Sequence, residues 1–365
     1  MADVATEYHD DSLTTALETL WADLTQKQMY ITGGIGPAEA NEGFTDYYDL
    51  PNDTAYAETC ASVGLVFWAS RMLGRGPNRR YADTMEQALY NGSITGLSTD
   101  GKTFFYDNPL ESAGGHHRWT WHSCPCCPPN IARLVTSLGS YVYAVADDEI
   151  AVHLYCASEA RVELANGAKF TLTQETDYPW SGDIKVTVNP ETSARFAVSL
   201  RIPAWARGAT LAVNGQAVVL DGQIVDGYVR IEREWHRGDT LALTLPLEPR
   251  ALRAHPSVRQ DAGRVAIMRG PLVYCLEGAD NGVGLNSILL GSGLGKAETA
   301  VIADLRGAIA IDIPVLRESA ESWGEALYAE KAPDTAPDTA RLVPYHLWDN
   351  REPGEMLVWL RQNQE

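Results

Sequence analysis

Apolar side chains in the first third of the chain recur every three to four residues, the spacing that gathers them on one face of a helix. From Ser12 to Gln28, Leu13, Ala16, Leu17, Leu20, Trp21 and Leu24 share such a face. Asn52 and Asp53 with Thr54 read as a capping signal for a helix running to Met72, with Val63, Val66 and Phe67 inside it. Asn78 to Tyr90 repeats the pattern through Tyr81, Met85, Ala88 and Leu89. Pro128-Pro129 opens another helix, striped by Ile131, Leu134, Val135, Leu138 and Val142, because proline suits a first helical turn. Between these helices run long loops rich in Gly, Pro and aromatics, 33–52 and 92–127. Loops of that length in a compact domain are usually functional or mobile.

Past Asp147-Asp148 the texture changes. Short strand-like runs cover 150–156, 160–164, 169–173, 184–188, 196–202, 210–213, 228–232 and 240–245, with turn signals at Asn166-Gly167, Asn214-Gly215 and Asp226-Gly227. Many short strands at this spacing predict a β-sandwich. A second β segment starts near Ala251 and includes 264–268 and 272–276. The duplicated stretch APDTAPDT, 332–339, reads as a linker, and 355–360 as a closing strand that returns to the first sandwich. The pattern therefore predicts a multidomain α + β chain: a helical region over 1–143, a first β-sandwich over 144–248 completed by about 353–365, and a second over 249–352.

Charge removes some function classes. The chain has 365 residues, with 29 Lys and Arg against 48 Asp and Glu, a net charge of −19. A phosphate backbone needs a basic face, so nucleic acid is not expected as a partner, and neither is an anionic membrane surface. A neutral substrate such as a sugar is indifferent to this acidity. No run of 18 apolar residues suggests a membrane span, and the start of the chain shows no signal peptide, which points to the cytoplasm.

Six cysteines are present: Cys60, Cys124, Cys126, Cys127, Cys156 and Cys275. A disulfide scaffold would be shorter and richer in cysteine, so a cluster like Cys124-Pro125-Cys126-Cys127 points to metal binding or catalysis. Glu58, Cys60, Cys126 and Cys127 would give zinc three sulfurs and one oxygen. Neighbouring cysteines share one metal only on bent backbone, which the flanking prolines permit. Glu58 and Cys60 lie two apart and converge only near an irregular helix start. The competing reading is a buried core thiol at Cys60 and a structural or oxidised cluster at 124–127. His116, His117, His122 and Cys124 are near enough in sequence to compete as ligands.

Longer motifs add a resemblance. Met29 to Gly36 (MYITGGIG), Glu42-Gly43-Phe44, Tyr48 to Thr54 (YDLPNDT), Tyr56 to Cys60 (YAETC), Phe105-Tyr106, Asn108 to Glu111 (NPLE), Cys126 to Asn130 (CCPPN) and Arg269 to Tyr274 (RGPLVY) together closely resemble glycoside hydrolase family 127, the β-L-arabinofuranosidase family. The likeness spans nearly the whole chain. It implies a retaining hydrolase releasing β-L-arabinofuranose from glycans, with Glu42 as acid/base, Zn2+ held by Glu58, Cys60, Cys126 and Cys127, Cys126 as nucleophile and Tyr106 in the sugar pocket. It also implies an (α/α)6 barrel, of the six-hairpin glycosidase type, followed by two β-sandwiches. Trp119 and Trp121 are candidates for stacking on sugar faces, or for ordinary packing.

A full barrel of this kind needs about a dozen helices of roughly 11 residues, and the first 143 residues hold four or five. The expectation is thus a partial barrel, with weak or no activity and low solubility unless a homodimer covers the open helix faces. The alternative function is a non-catalytic carbohydrate-binding or structural zinc protein.

Overall fold

The computed structural model describes residues 1–319 and 321–363. Five main helices form: α1 (Ala2–Tyr8), α2 (Asp11–Lys27), α3 (Thr59–Leu73), α4 (Arg79–Gln87) and α5 (Cys127–Ser137). Among the described residues no helix is long and apolar enough to cross a membrane. The chain divides into two compact units that interleave along the sequence.

The first unit comprises Met1–Trp21, Gly64–Ala88 and Ala132–Glu248. Its helices meet where Trp21 of α2 sits edge-on to Trp68 of α3 at 5.0 Å and to Tyr81 of α4 at 4.8 Å. Its strands form one sheet of five and one of six. Alternating burial along Asp183–Pro190 and Lys169–Glu175 marks sheets with one face inward. Phe170 of the larger sheet stacks on Phe196 of the smaller at 4.2 Å, so the two inner faces meet as a sandwich. The helical part is fastened to it by an ion pair. Arg201, fully buried, bonds Glu86 at 2.5 Å and Asp83 at 2.6 Å, both on α4. Tyr178 adds a hydrogen bond to Glu86 at 2.8 Å.

The second unit comprises Ala22–Val63, Leu89–Ile131 and the chain from Pro249 onward. Its ten-stranded sheet closes on itself. Leu272–Glu277 pairs Asp334–Pro344, which pairs Ala308–Ser319, then Ile288–Leu290, Trp359–Gln362 and Arg264–Arg269, which returns to Leu272–Glu277. A ring of six strands replaces the two separate sheets expected of a second sandwich.

Two further expectations are corrected. APDTAPDT is no linker: Asp334–Pro344 runs antiparallel to Ala308–Ser319 through nine consecutive pairs, Ile311–Leu342 to Ser319–Asp334. The closing strand does not complete the first sandwich, since Trp359–Gln362 lies between Arg264–Arg269 and Ile288–Leu290 in the ring. Val358, Trp359 and Leu360 are all buried there, an apolar run that a strand inside the ring can cover on both faces. Residues 364–365 of that expectation lie outside the described residues.

Candidate active site

All of the residues that converge on the site belong to the second unit. It is built on two helix starts. The amides of Ala61 and Ser62 bond the Glu58 carbonyl at 3.0 and 3.3 Å, so Glu58 occupies the N-cap of α3, and Cys60 is the helix's second residue. The expected cap at Asn52 and Asp53 is corrected: α3 begins at Thr59, and the buried Asn52 amide instead donates to Asp261 at 2.8 Å. The chain before Glu58 is held out of helix. Ala57 adopts φ 37°, a conformation costly for a residue with a Cβ. Asn108, buried, clamps it by donating to the Ala57 carbonyl at 2.9 Å and to Thr59 Oγ1 at 3.0 Å. Because the backbone turns between Glu58 and Cys60, two side chains that a regular helix would separate point the same way.

The second start works alike. The Asn130 amide bonds the Cys126 carbonyl at 3.2 Å, so Cys126 precedes α5 and Cys127 opens it. Pro128 and Pro129 lack amide hydrogens where a helix has no internal acceptor for them. Gly96 lets the two starts approach: a Cβ on it would lie 2.4 Å from Thr59 Cγ2 and 2.8 Å from Ile131 Cδ1. Both helices thus turn their positive ends toward the cluster, which favours anions there.

One ligand atom from each of Glu58, Cys60, Cys126 and Cys127 lies within 4.8 Å of the others. Cys60 Sγ is 3.6 Å from Cys127 Sγ, which is 3.8 Å from Cys126 Sγ. Glu58 Oε1 is 3.2 Å from Cys126 Sγ and 3.9 Å from Cys127 Sγ. A tetrahedron with zinc–sulfur bonds of about 2.3 Å has sulfur–sulfur edges of about 3.8 Å. These spacings are of the size a tetrahedrally held cation needs. The protein's own charges do not ionise Cys126: burial pushes its thiol up to about 12, although the Tyr106 hydroxyl beside it acts in the other direction. Cys127 is pushed far above the usual range, first by its bond to Cys60 and then by burial, while that bond holds Cys60 below it. Several thiols at this spacing release their protons together only when a cation compensates them.

Beside the cluster opens a cleft of about 630 Å³, walled by Glu39, Glu42, Asp53, Tyr56, Tyr106, Asp107, Trp119 and Cys124 among others. Tyr56, Phe104, Tyr106 and Cys127 form a buried apolar cluster, with Cys60 and Cys126 packed on it. Glu42 caps a tight turn at φ 48°, and its Oε1 accepts a hydrogen bond from the Tyr56 hydroxyl at 3.3 Å. The structure thus puts Glu42 and Tyr106 in one cleft and the four donors in one cluster. It keeps the other candidates out of that cluster. His122 stacks on Tyr106 at 4.3 Å, His116 packs beside the stacked rings of Phe105 and Trp348 near Asp107, and His117 faces Asp349 at 3.0 Å. Cys124 is exposed. Trp119 lines the cleft, whereas Trp121 is 70% exposed. Sequence reasoning missed Tyr56, Asn108 and Gly96 as builders of the site. Tyr56 and Asn108 stand inside the quoted motifs, but loops lack the periodicity that reveals a side chain's direction.

Comparison with known proteins gives the family. Residues 1–140 match the model of the β-L-arabinofuranosidase GH127 catalytic domain, 149–247 that of the GH127 middle domain, and 249–361 that of the family 127 C-terminal domain. A non-reducing end β-L-arabinofuranosidase of Bifidobacterium longum is 42% identical over 97% of this chain and 56% of its own length. The solved structure of a GH127 β-L-arabinofuranosidase from Geobacillus stearothermophilus T6 superposes with a TM-score of 0.95 at 44% identity, covering 99% of this chain and 59% of that one. A second GH127 β-arabinofuranosidase structure gives 0.91 at 38% identity, covering 99% and 58%. The chain thus spans a little over half the length of these relatives. With three consecutive domain models matched in order along it, the chain belongs to glycoside hydrolase family 127.

Proposed function

We propose that this chain carries the reaction centre of a retaining glycoside hydrolase that releases β-L-arabinofuranose from glycans, and that its helical part is a portion of an (α/α)6 barrel. The relatives' activity supports the sugar and the bond broken. The observation that carries the mechanism is the four-donor cluster with Cys126 at its edge, next to a cleft that holds a carboxylate.

Glu58, Cys60, Cys126 and Cys127 would hold the ion, and their donor set suits Zn2+. When bound, the cation supplies the positive charge that keeps Cys126 ionised at neutral pH. Cys126 Sγ then attacks the anomeric carbon; the carbon–sulfur bond forms as the glycosidic carbon–oxygen bond breaks. Glu42 gives its proton to the departing oxygen. In the second half, Glu42 takes a proton from water, whose oxygen attacks the same carbon and frees the thiolate, so configuration is retained. Tyr106, between cleft and cluster, limits water at the sulfur and offers its ring to the sugar.

The test is hydrolysis of p-nitrophenyl β-L-arabinofuranoside by the protein and by Cys126→Ser and Glu42→Gln. Cys126→Ser is expected to fall to background, and Glu42→Gln to lose turnover of substrates with poor leaving groups. Turnover unchanged in Cys126→Ser would refute the nucleophile, and with it this function in favour of a structural metal site.

A further inference from the structure

A general acid must present its proton from a fixed atom, and Glu42 stands on a loop residue with little to hold it. Its backbone is at φ 48°, stabilised by the amide bond to the Glu39 carbonyl at 3.2 Å and by the Ala38–Gly43 bridge. Its carboxyl group has one hydrogen bond among the described residues, from the Tyr56 hydroxyl to Oε1 at 3.3 Å. Tyr56 itself is anchored. It is 9% exposed, belongs to the buried cluster with Tyr106 and Cys127, and its ring centroid is 5.8 Å from that of Tyr106. Its amide and carbonyl are also tied, to the Pro37 carbonyl at 3.2 Å and the Asn108 amide at 3.0 Å.

We propose that Tyr56 is a positioning residue for Glu42: its hydroxyl occupies Oε1, leaves the working proton on Oε2, and fixes the carboxyl group relative to the wall on which Cys126 packs. In the first half-reaction Oε2–H passes its proton to the leaving oxygen, and in the second Oε2 accepts one from water, with the Tyr56 O–H···Oε1 bond kept in both. This inference rests on the acid/base reading of Glu42 above.

Tyr56→Phe removes the hydroxyl and keeps the ring. Two substrates are compared in the protein, Tyr56→Phe and Glu42→Gln: methyl β-L-arabinofuranoside, whose leaving group needs a proton, and the p-nitrophenyl glycoside, whose leaving group needs little help. The expected result for Tyr56→Phe is a loss of about tenfold or more in kcat/KM on the methyl glycoside and a much smaller loss on the p-nitrophenyl one. Zinc content and thermal stability near those of the parent show that the cluster is intact. Equal losses on both substrates would overturn the positioning role. If Glu42→Gln itself shows no dependence on leaving group, the acid/base reading fails first, and the role of Tyr56 with it.

Discussion

A carboxyl group buried among apolar side chains resists ionisation, and Asp261 is the case here. It is 6% exposed, and burial pushes it up to about 6, against the opposing pull of the Asn52 bond and of Arg264. Its ordinary value is 3.8, so between there and about 6 the folded protein keeps a proton that the unfolded chain has released. Stability is therefore lost as pH rises through that window, and the cost is complete above it. Asp261→Asn is expected to raise stability by about 2 kcal/mol at pH 7–8 and by little near pH 4, read from melting curves across pH. Asn108 acts in the opposite sense. Asn108→Ala frees the carbonyl of Ala57 and relaxes the strained approach to Glu58, with an expected drop of about tenfold or more in metal affinity, as is typical for groups that orient ligands. At this scale the sequence exposed the donors but not their supports. Glu58, Cys60, Cys126 and Cys127 are chemically distinctive wherever they occur; Asn108 and Ala57 matter only through backbone angles that no residue type announces.

The helices were legible where an apolar stripe exists and misplaced where the chain departs from it. Leu17, Trp21 and Leu24 turn inward on α2 as their spacing requires. α3 starts five residues later than the good local cap at Asp53-Thr54 predicts, because the tertiary clamp at Asn108 delays the helix to Thr59. That delay is what lets Glu58 and Cys60 meet. APDTAPDT misled in another way. Proline and polar residues suggest a linker, yet the stretch belongs to the exposed half of a long strand, where Pro337 can be tolerated because that half pairs a strand on one side only. The junction of α3 and α5 gives the prediction at this scale. Gly96→Ala puts a methyl group where Thr59 and Ile131 already sit. The helix starts must separate, with an expected loss of about 1–3 kcal/mol in stability and weaker metal retention on dialysis. Full retention and an unchanged melting temperature would show that the approach of the helices is not constrained there.

Across the whole molecule the change from helical to strand texture foretold a helical part followed by sheet-rich parts, whereas the closed ring and the place of the last strand were not legible, since strand pairing across long sequence separations leaves no local signal. An ion held by the four donors would couple metal binding to folding, since they come from two distant stretches of chain. A ligand bound only by the folded form at a thousand times its Kd adds about 4 kcal/mol, so stripping the ion with a chelator is expected to lower the melting temperature, and zinc to restore it. The most direct measurement of the central claim is the metal content of the purified protein, by mass spectrometry, together with the absorption spectrum after cobalt substitution. The account predicts about one ion per chain, thiolate-to-cobalt bands from the three cysteines, and loss of both in Cys127→Ser. A metal-free protein that still hydrolyses an arabinofuranoside would contradict it.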